Sequence, residues 1–136
     1  MIKITDKPID IREAADAAAS KTAGAVNLFV GNIRHESHGQ QVRWLEYEAY
    51  ESMAVSEIRK IMEEASRRWD VKGYAVIHRI GTLRPGETAV VIAVATGHRK
   101  ESFEACSYVI DTLKETVPIF KKEVLENGEE WVSARP

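Results

Sequence analysis

Residues 71–98 read VKGYAVIHRIGTLRPGETAVVIAVATGH, and this stretch decides the fold more than any other. Two runs rich in strand-forming residues, Val71–Gly81 and Thr88–His98, flank a short polar segment. In that segment Pro85 precedes Gly86, which is the order that a type II turn favours. The stretch therefore predicts a β-hairpin, in which two antiparallel strands are joined by a tight turn.

Two long helices are predicted on either side of this hairpin in the chain. Glu51–Trp69 repeats apolar residues at spacings of three and four, and the stripe consists of Ile58, Ile61, Met62, Ala65 and Trp69. The second helix covers about Lys100–Thr116, with an inner face of Phe103, Cys106, Ile110 and Leu113. Pro118 prevents a smooth continuation of that helix. Both helices are expected to pack on a sheet with their apolar stripes.

The first part of the chain adds further strands and one more helix. Met1–Thr5 alternates like a short strand, and Ile11–Ser20 is an Ala-rich helix candidate. Asp10 followed by Glu13 resembles a capping box at the start of that helix. The segments that follow are a strand at Gly24–Arg34, a polar loop at His35–Gln41 and a half-buried strand at Val42–Tyr50.

The C-terminal region predicts a second hairpin. Ile119–Leu125 and Glu130–Ser133 flank Asn127-Gly128, a dipeptide that strongly favours a tight hairpin turn. The chain as a whole is therefore expected to be α+β, with a mostly antiparallel sheet, packed helices and a C-terminal β-hairpin. A length of 136 residues suits a single domain covering residues 1–136.

Composition excludes several classes of function. A formal net charge of -2 argues against a broad nucleic-acid surface, which usually needs a basic excess. Apolar runs such as Ala89–Ala95 are too short to cross a bilayer. The N-terminal MIKITDKP lacks the apolar core of a signal peptide, so a cytoplasmic protein is expected. The single cysteine, Cys106, rules out an internal disulfide and is expected to be a buried structural thiol.

Two segments suggest an anion site. Gly97-His98-Arg99 closes a β-rich run and opens a helix, where free backbone amides carry partial positive charge. An imidazole and a guanidinium beside those amides favour anion binding, although a solvated turn with surface charges is the alternative. Arg34 follows Gly31 at a strand end and is suited to a bidentate grip on phosphate, but a surface arginine there is equally common.

Three lysines and three histidines allow more than one interpretation. Lys114 ends a helix, where the dipole favours a cation in any case. Lys121 and Lys122 point to opposite faces if their segment is a strand, so one can face a pocket. No metal site is expected from the histidines, because no recognised ligand spacing frames them; they are His35, His38 and His78. The residues alone predict an anion-binding α+β domain, with lysine acid–base catalysis as an option, and no defined reaction.

Several segments, taken together and in order, resemble the large, catalytic subunit of molybdopterin synthase. Each alone is weak, but the ordered set covers nearly the whole chain and is specific. The segments are Gly24–Val26, Gly31–Arg34, Leu45–Tyr50, Met53–Ala54, His78–Gly81, Pro85–Glu87, His98–Arg99, Phe103–Ala105, Leu113–Lys114, Pro118–Glu123 and Trp131.

This resemblance implies an α/β-hammerhead type of fold and a sulfurtransferase. That family converts a cyclic pyranopterin monophosphate to molybdopterin by adding two sulfurs as a dithiolene, and no cofactor is implied. Sulfur arrives as a thiocarboxylate on the C-terminal Gly-Gly tail of a small ubiquitin-like subunit. The assembly implied is a homodimer within a heterotetramer, with one small subunit at each end.

The resemblance also implies a set of site residues by matching position. Lys114 and Lys121 would be catalytic, Lys114 by contacting the thiocarboxylate and Lys121 as a general acid–base. The substrate-binding residues would be Asn32, Ile33, Arg34, His98, Arg99, Lys122, Glu123 and Arg135. Of these, Arg34, His98 and Arg99 would hold the phosphate and pterin, and Arg135 would reach the neighbouring subunit's pocket.

Two other readings of the chain stay open at this point. A docking subunit for a ubiquitin-like protein would bind the partner but not the pterin. A generic phosphate-ligand domain would bind no ubiquitin-like partner at all. Titration with the pterin precursor and a pull-down with the partner distinguish these two interpretations from each other and from the enzyme.

Overall fold

The computed structural model describes all 136 residues and contains nine strands and three helices. The helices are α1 (Ile11–Ala18), α2 (Glu51–Arg68) and α3 (Arg99–Thr116). The strands are β1 (Ile2–Thr5), β2 (Ala25–Asn32), β3 (Glu36–Ser37), β4 (Gln40–Ala49), β5 (Val71–Arg79), β6 (Gly81–Leu83), β7 (Thr88–Thr96), β8 (Ile119–Leu125) and β9 (Glu130–Ser133). The α+β class is confirmed, and none of the helices is long and apolar enough to cross a membrane.

The first sheet is built around the predicted hairpin of β5 and β7. Its strand order is β1-β5-β7-β2, and β1 alone runs parallel to its neighbour. The turn before β7 has the predicted type II character, since the Glu87 amide donates to the Arg84 carbonyl at 3.0 Å. Gly86 has a φ of +92°, which only glycine adopts without strain.

Helices cover both faces of this first sheet. Helix α1 packs on one face through a small cluster formed by Ala14, Ala18, Ala75, Ile77, Val91 and Ala93. The approach is close, because a Cβ at Gly73 would lie 2.2 Å from the Ala18 carbonyl oxygen. Helices α2 and α3 share the larger core on the other face, where Ile58, Met62 and Leu113 are fully buried. The core that positions α3 is therefore continuous with the sheet.

The second sheet was not foreseen as a separate unit. Its order is β3-β4-β8-β9, with β6 also paired to β4. The predicted C-terminal hairpin of β8 and β9 is confirmed, with Gly128 at a φ of +89°. Strand β6 lies between β5 and β7 in the chain but pairs with β4, so that Gly81 lies opposite Tyr47 and Leu83 opposite Leu45. The chain therefore carries two sheets, and the short connection after β5 links them.

Two local predictions were wrong in part. Asp10 caps α1 by accepting from the Arg12 amide at 2.9 Å, but Glu13 does not complete a capping box and pairs with Lys3 at 3.0 Å. Phe103 is 63% exposed rather than buried. The buried positions of α3 centre near Cys106 and Val109, and Phe103 lies roughly 90° around the helix from them at 100° per residue.

Candidate functional site

A cleft of about 150 Å³ opens where the two sheets and the end of α3 meet. It is lined by Asn32, Ile33, Arg34, Glu36, Ser37, Val42, Leu45, Tyr47, Lys114, Lys121 and Glu123. Six of these residues were predicted as site residues from the sequence, and they come from three separate parts of the chain: Asn32, Ile33, Arg34, Lys114, Lys121 and Glu123. The fold therefore assembles most of the predicted site in one place.

Backbone hydrogen bonds fix the segment that carries Arg34. The Ile33 amide donates to the Glu87 carbonyl at 2.9 Å, and the Gly86 amide donates to the Ile33 carbonyl at 2.8 Å. Ile33 is 5% exposed, whereas the Arg34 side chain is exposed. Burial of Ile33 thus anchors the end of β2, and the guanidinium of the next residue is left at the rim of the cleft.

Strand alternation places Lys121 at the cleft and Lys122 away from it. Lys121 lies opposite Tyr47 in the register of β8 and β4, and both line the cleft. Lys122 points to the other face of the sheet, where its Nζ lies 3.1 Å from a Glu46 carboxylate oxygen. Hydrogen bonding to Glu46 raises the pKa of Lys122. The structure therefore does not place Lys122 among the cleft residues, contrary to the expectation from resemblance.

Lys114 enters the cleft from the last turn of α3. Desolvation by the surrounding protein lowers its pKa, and the positive charge of Lys121 acts in the same direction. A lowered pKa means that the surroundings of Lys114 disfavour its ammonium form, which a bound anion would stabilise. Two ammonium groups near one another also create a strong local preference for an anion.

Glu123 brings a carboxylate into this otherwise cationic site. Ser37 Oγ donates to Glu123 at 2.6 Å, and His38 Nε2 lies 3.4 Å from the same carboxylate oxygen. The Lys121 ammonium lies 3.7 Å from the other oxygen of Glu123. The carboxylate therefore ties the turn between β3 and β4 to the wall of the cleft, and it orients Lys121.

The turn between β3 and β4 is held from a second side. His38 stacks on the indole of Trp131 with 4.0 Å between ring centroids and an interplanar angle of 13°. Trp131 lies opposite Glu123 in the register of β9 and β8. The C-terminal hairpin thus supports the loop that forms one side of the cleft, through a contact that no short sequence pattern indicates.

His98 and Arg99 do not reach this cleft. Both are exposed at the N-terminal end of α3, while Lys114 lies in its last turn. Sixteen residues separate His98 from Lys114, or about 24 Å at 1.5 Å per residue. The expectation that one chain gathers His98 and Arg99 with the lysines around one ligand is therefore wrong.

Arg135 binds its own chain close to the cleft. Its Nε donates to the Glu115 carbonyl at 2.8 Å, which occupies an open acceptor at the end of α3. The predicted reach of Arg135 into a neighbouring subunit stays a prediction. The next residue, Pro136, lines a small cavity beside Lys114.

Sequence reasoning missed two aromatic residues beside the lysines. Tyr47 lines both the cleft and a second cavity of about 60 Å³, and burial raises the pKa of its hydroxyl to about 12. His78 is 2% exposed and lines the same small cavity. The alternation of Leu45 and Tyr47 in β4 was the available signal for Tyr47, since both share the face of Lys121.

Comparison with known proteins agrees with this architecture. The family described as "MoaE protein" matches residues 4–116. The molybdopterin synthase catalytic subunit of Halalkalibacterium halodurans is 45% identical over 129 residues, covering 95% of this chain and 83% of the relative. The crystal structure of molybdopterin synthase from Staphylococcus aureus superposes with a TM-score of 0.90 at 35% identity, covering 96% of this chain and 94% of that one.

A further solved structure holds two different subunits. It is the complex of subunits 1 and 2 of the molybdopterin-converting factor from Helicobacter pylori. The similarity gives a TM-score of 0.77 at 25% identity, covering 95% of this chain and 87% of that one. A chain of this fold is therefore found in complex with a second subunit.

Proposed function

Since this chain belongs to the MoaE protein family, we propose that it catalyses the molybdopterin synthase reaction in the cleft described above. The chain is a sulfurtransferase of molybdenum cofactor biosynthesis. Its substrate is a cyclic pyranopterin monophosphate, and its product carries two new sulfurs as the dithiolene of molybdopterin. The cytoplasm is the proposed compartment, as suits a biosynthetic enzyme.

One observation carries the proposal at the level of residues. Arg34 follows β2, Lys114 lies in α3 and Lys121 lies in β8, and all three line one cleft of about 150 Å³. Two anionic groups must meet there, the phosphate of the pterin and the thiocarboxylate of a partner. Three cations in a confined space offset the repulsion between those anions and stabilise charge that develops during reaction.

The sulfur comes from a partner subunit and not from this chain. Its only cysteine, Cys106, is 3% exposed, and burial raises the pKa of the thiol to about 11. Such a thiol carries almost no thiolate near neutral pH and is a poor nucleophile. The partner is a small ubiquitin-like subunit whose C-terminal Gly-Gly ends in a thiocarboxylate, in line with the two-subunit complex of the Helicobacter pylori relative.

The cleft residues take distinct roles in the transfer. Arg34 holds the phosphate, and Asn32 and Ile33 shape the pterin pocket beside it. Lys114 binds the thiocarboxylate while the thiocarboxylate sulfur attacks a carbon of the substrate side chain. Each new C–S bond replaces a C–O bond: at one carbon the cyclic phosphate opens and the phosphate oxygen leaves, and at the other carbon the oxygen leaves as water. Water then breaks the acyl–sulfur bond, which leaves a carboxylate on the partner and the sulfur on the product. Lys121 moves protons in these steps, and Glu123 orients Lys121 from 3.7 Å.

His98 and Arg99 act from a second copy of this chain. They lie about 24 Å along α3 from Lys114, so a role in substrate binding requires a neighbouring pocket. A homodimer that places one α3 N-terminus near the other copy's cleft meets this requirement, and a small subunit at each end completes a heterotetramer. Arg135 lies at the end of its own α3, where it holds the Glu115 carbonyl, and its reach into the neighbouring subunit's pocket is part of this proposal.

Reconstitution from purified parts tests the proposal. This chain, the thiocarboxylated partner and the pterin precursor are mixed, and the dithiolene product is measured after conversion to a fluorescent derivative. We expect stoichiometric sulfur transfer, and calorimetric titration of the isolated chain with the precursor should show binding. Partner binding without pterin binding or product would instead support a docking subunit and would overturn the assignment of the cleft.

A further inference from the structure

His78 is a buried histidine whose protonation pattern is fixed by its one hydrogen bond. The ring lies at the end of β5 and is 2% exposed. Nδ1 lies 2.8 Å from the Arg79 carbonyl oxygen. A carbonyl oxygen can only accept, so Nδ1 must carry the proton. In the neutral ring Nε2 is therefore unprotonated and can only accept a hydrogen bond. It makes no hydrogen bond within the chain.

His78 lines a small cavity that adjoins the candidate active site. The cavity measures about 60 Å³, and its polar lining consists of His78, Tyr47, Asn32 and Lys114. The Tyr47 ring packs edge-on against the imidazole at 5.1 Å between centroids. Tyr47, Asn32 and Lys114 also line the larger cleft, so the cavity lies directly behind the residues that face the substrate. A cavity of this size has room for an ordered water with several polar partners.

The ring is neutral under physiological conditions. Burial lowers the pKa of His78 to about 4, with the charge of Lys114 acting in the same direction and the hydrogen bond to Arg79 opposing it. The other groups that titrate nearby are Tyr47, whose pKa is raised, and Lys121 and Glu123 in the adjoining cleft. Only Lys114 offers a cationic donor on the cavity itself.

We infer that His78 is a positioning residue for Lys114. Its unprotonated Nε2 accepts a hydrogen bond from a water in the cavity, and this water in turn accepts one from the Lys114 ammonium. The link holds the ammonium at the mouth of the cleft, in the orientation that binds the thiocarboxylate. This inference rests on the proposed role of Lys114, but the link between the two side chains is a property of the resting chain.

Nitrogen NMR of the full chain tests the link without any catalytic assay. At pH 7 we expect the Nε2 resonance of His78 in the unprotonated range and the Nδ1 resonance in the protonated range. A hydrogen-bonded Lys114 ammonium exchanges slowly with water, so its signal should be visible in the wild type and lost in His78→Asn. A protonated Nε2, or a Lys114 signal unchanged in His78→Asn, overturns the inference.

Two conservative variants test the functional consequence in the reconstituted reaction. His78→Asn keeps a donor for the Arg79 carbonyl but has no acceptor at the Nε2 position, whereas the amide oxygen of His78→Gln comes near it. A mispositioned catalytic group is costly, so we expect kcat to fall about tenfold in His78→Asn with KM within about twofold. His78→Gln should stay within about threefold of wild type.

The outcomes separate this inference from the proposed function. Equal turnover of the Asn and Gln variants, or a change in melting temperature alone, means that His78 is only structural. If the wild-type chain forms no dithiolene while the NMR link is present, the proposed function fails and the contact between His78 and Lys114 stands. If the chain is active and the link is absent, the inference fails and the proposed function stands.

Discussion

Lys121 and Lys122 are neighbours in the chain but have separate surroundings. Lys121 lines the cleft beside Lys114 and Glu123, whereas Lys122 forms an ion pair with Glu46 on the opposite face of the sheet. The strand pattern predicted that the two would point apart. It did not say which one would face a pocket, because that depends on how β8 is placed against α3. The family resemblance assigned both to the site, and only the fold separates them.

Buried His78 gives the chain a predictable dependence of stability on pH. The pKa of His78 is about 4 in the folded chain, below the value of about 6.5 that it regains on unfolding. Between these values the unfolded state binds a proton that the folded state does not. The contribution of His78 to the free energy of unfolding is therefore fully present above pH 6.5 and is lost as the pH falls toward 4. The shift corresponds to about 2–3 kcal/mol between pH 6.5 and 4.5.

Denaturant unfolding at the two pH values measures this contribution. The free energy of unfolding should fall between pH 6.5 and 4.5 by about 2–3 kcal/mol more in the wild type than in His78→Gln, which lacks the titrating ring. The exposed histidines are present in both proteins, so their effects cancel in the comparison. An equal fall in both proteins would mean that His78 is not held neutral by burial.

At the scale of elements, the long helices and both hairpins could be read from sequence because each has a local signal. Turn chemistry at Pro85-Gly86 and Asn127-Gly128 predicted the two hairpins, and periodic apolar residues predicted α2 and α3. Strand β6 has only three residues, so it carries no period of its own. The pairing of β6 with β4 depends on tertiary structure and not on a local sequence pattern. The division into two sheets was missed for that reason.

The contact between α1 and β5 depends on a glycine. A Cβ at Gly73 would lie 2.2 Å from the Ala18 carbonyl oxygen, a backbone atom that cannot rotate away. Gly73→Ala should therefore push α1 off the sheet and lower the free energy of unfolding by about 1–3 kcal/mol. Lys72→Ala, at the adjacent position, should change it by less than about 0.5 kcal/mol. Chemical denaturation measures the free energy of unfolding of both variants. Equal values for Gly73→Ala and Lys72→Ala would contradict the close packing.

At the scale of the whole molecule, the site predicted from sequence divides into two groups. Arg34, Lys114 and Lys121 converge on one cleft, while His98 and Arg99 lie at the far end of an 18-residue helix. Sequence order and residue type could not separate these groups, since both are cationic and both follow structural boundaries. The length of α3 keeps the two groups apart within one chain. The second group can therefore contribute to a substrate site only in another copy of the chain.

Mixing two inactive variants tests whether two chains form one site. His98→Ala and Lys121→Ala are expected to be strongly impaired alone. After subunit exchange in an equimolar mixture, half of the dimers contain both variants, and each of these has one intact site. Activity should then recover to about a quarter of the wild-type rate. A mixture that stays as inactive as its components would contradict the composite site, as would a fully active His98→Ala.

The most direct measurement compares Lys121→Ala with Lys122→Ala in the reconstituted reaction. The two variants remove the same charge from adjacent positions of β8, one at the cleft and one on the opposite face. We predict that Lys121→Ala loses about 10²–10⁴ in the rate of dithiolene formation while it still binds the partner, and that Lys122→Ala keeps nearly full activity. Normal turnover by Lys121→Ala with the thiocarboxylated partner, or an equal loss in both variants, would contradict the assignment of the cleft.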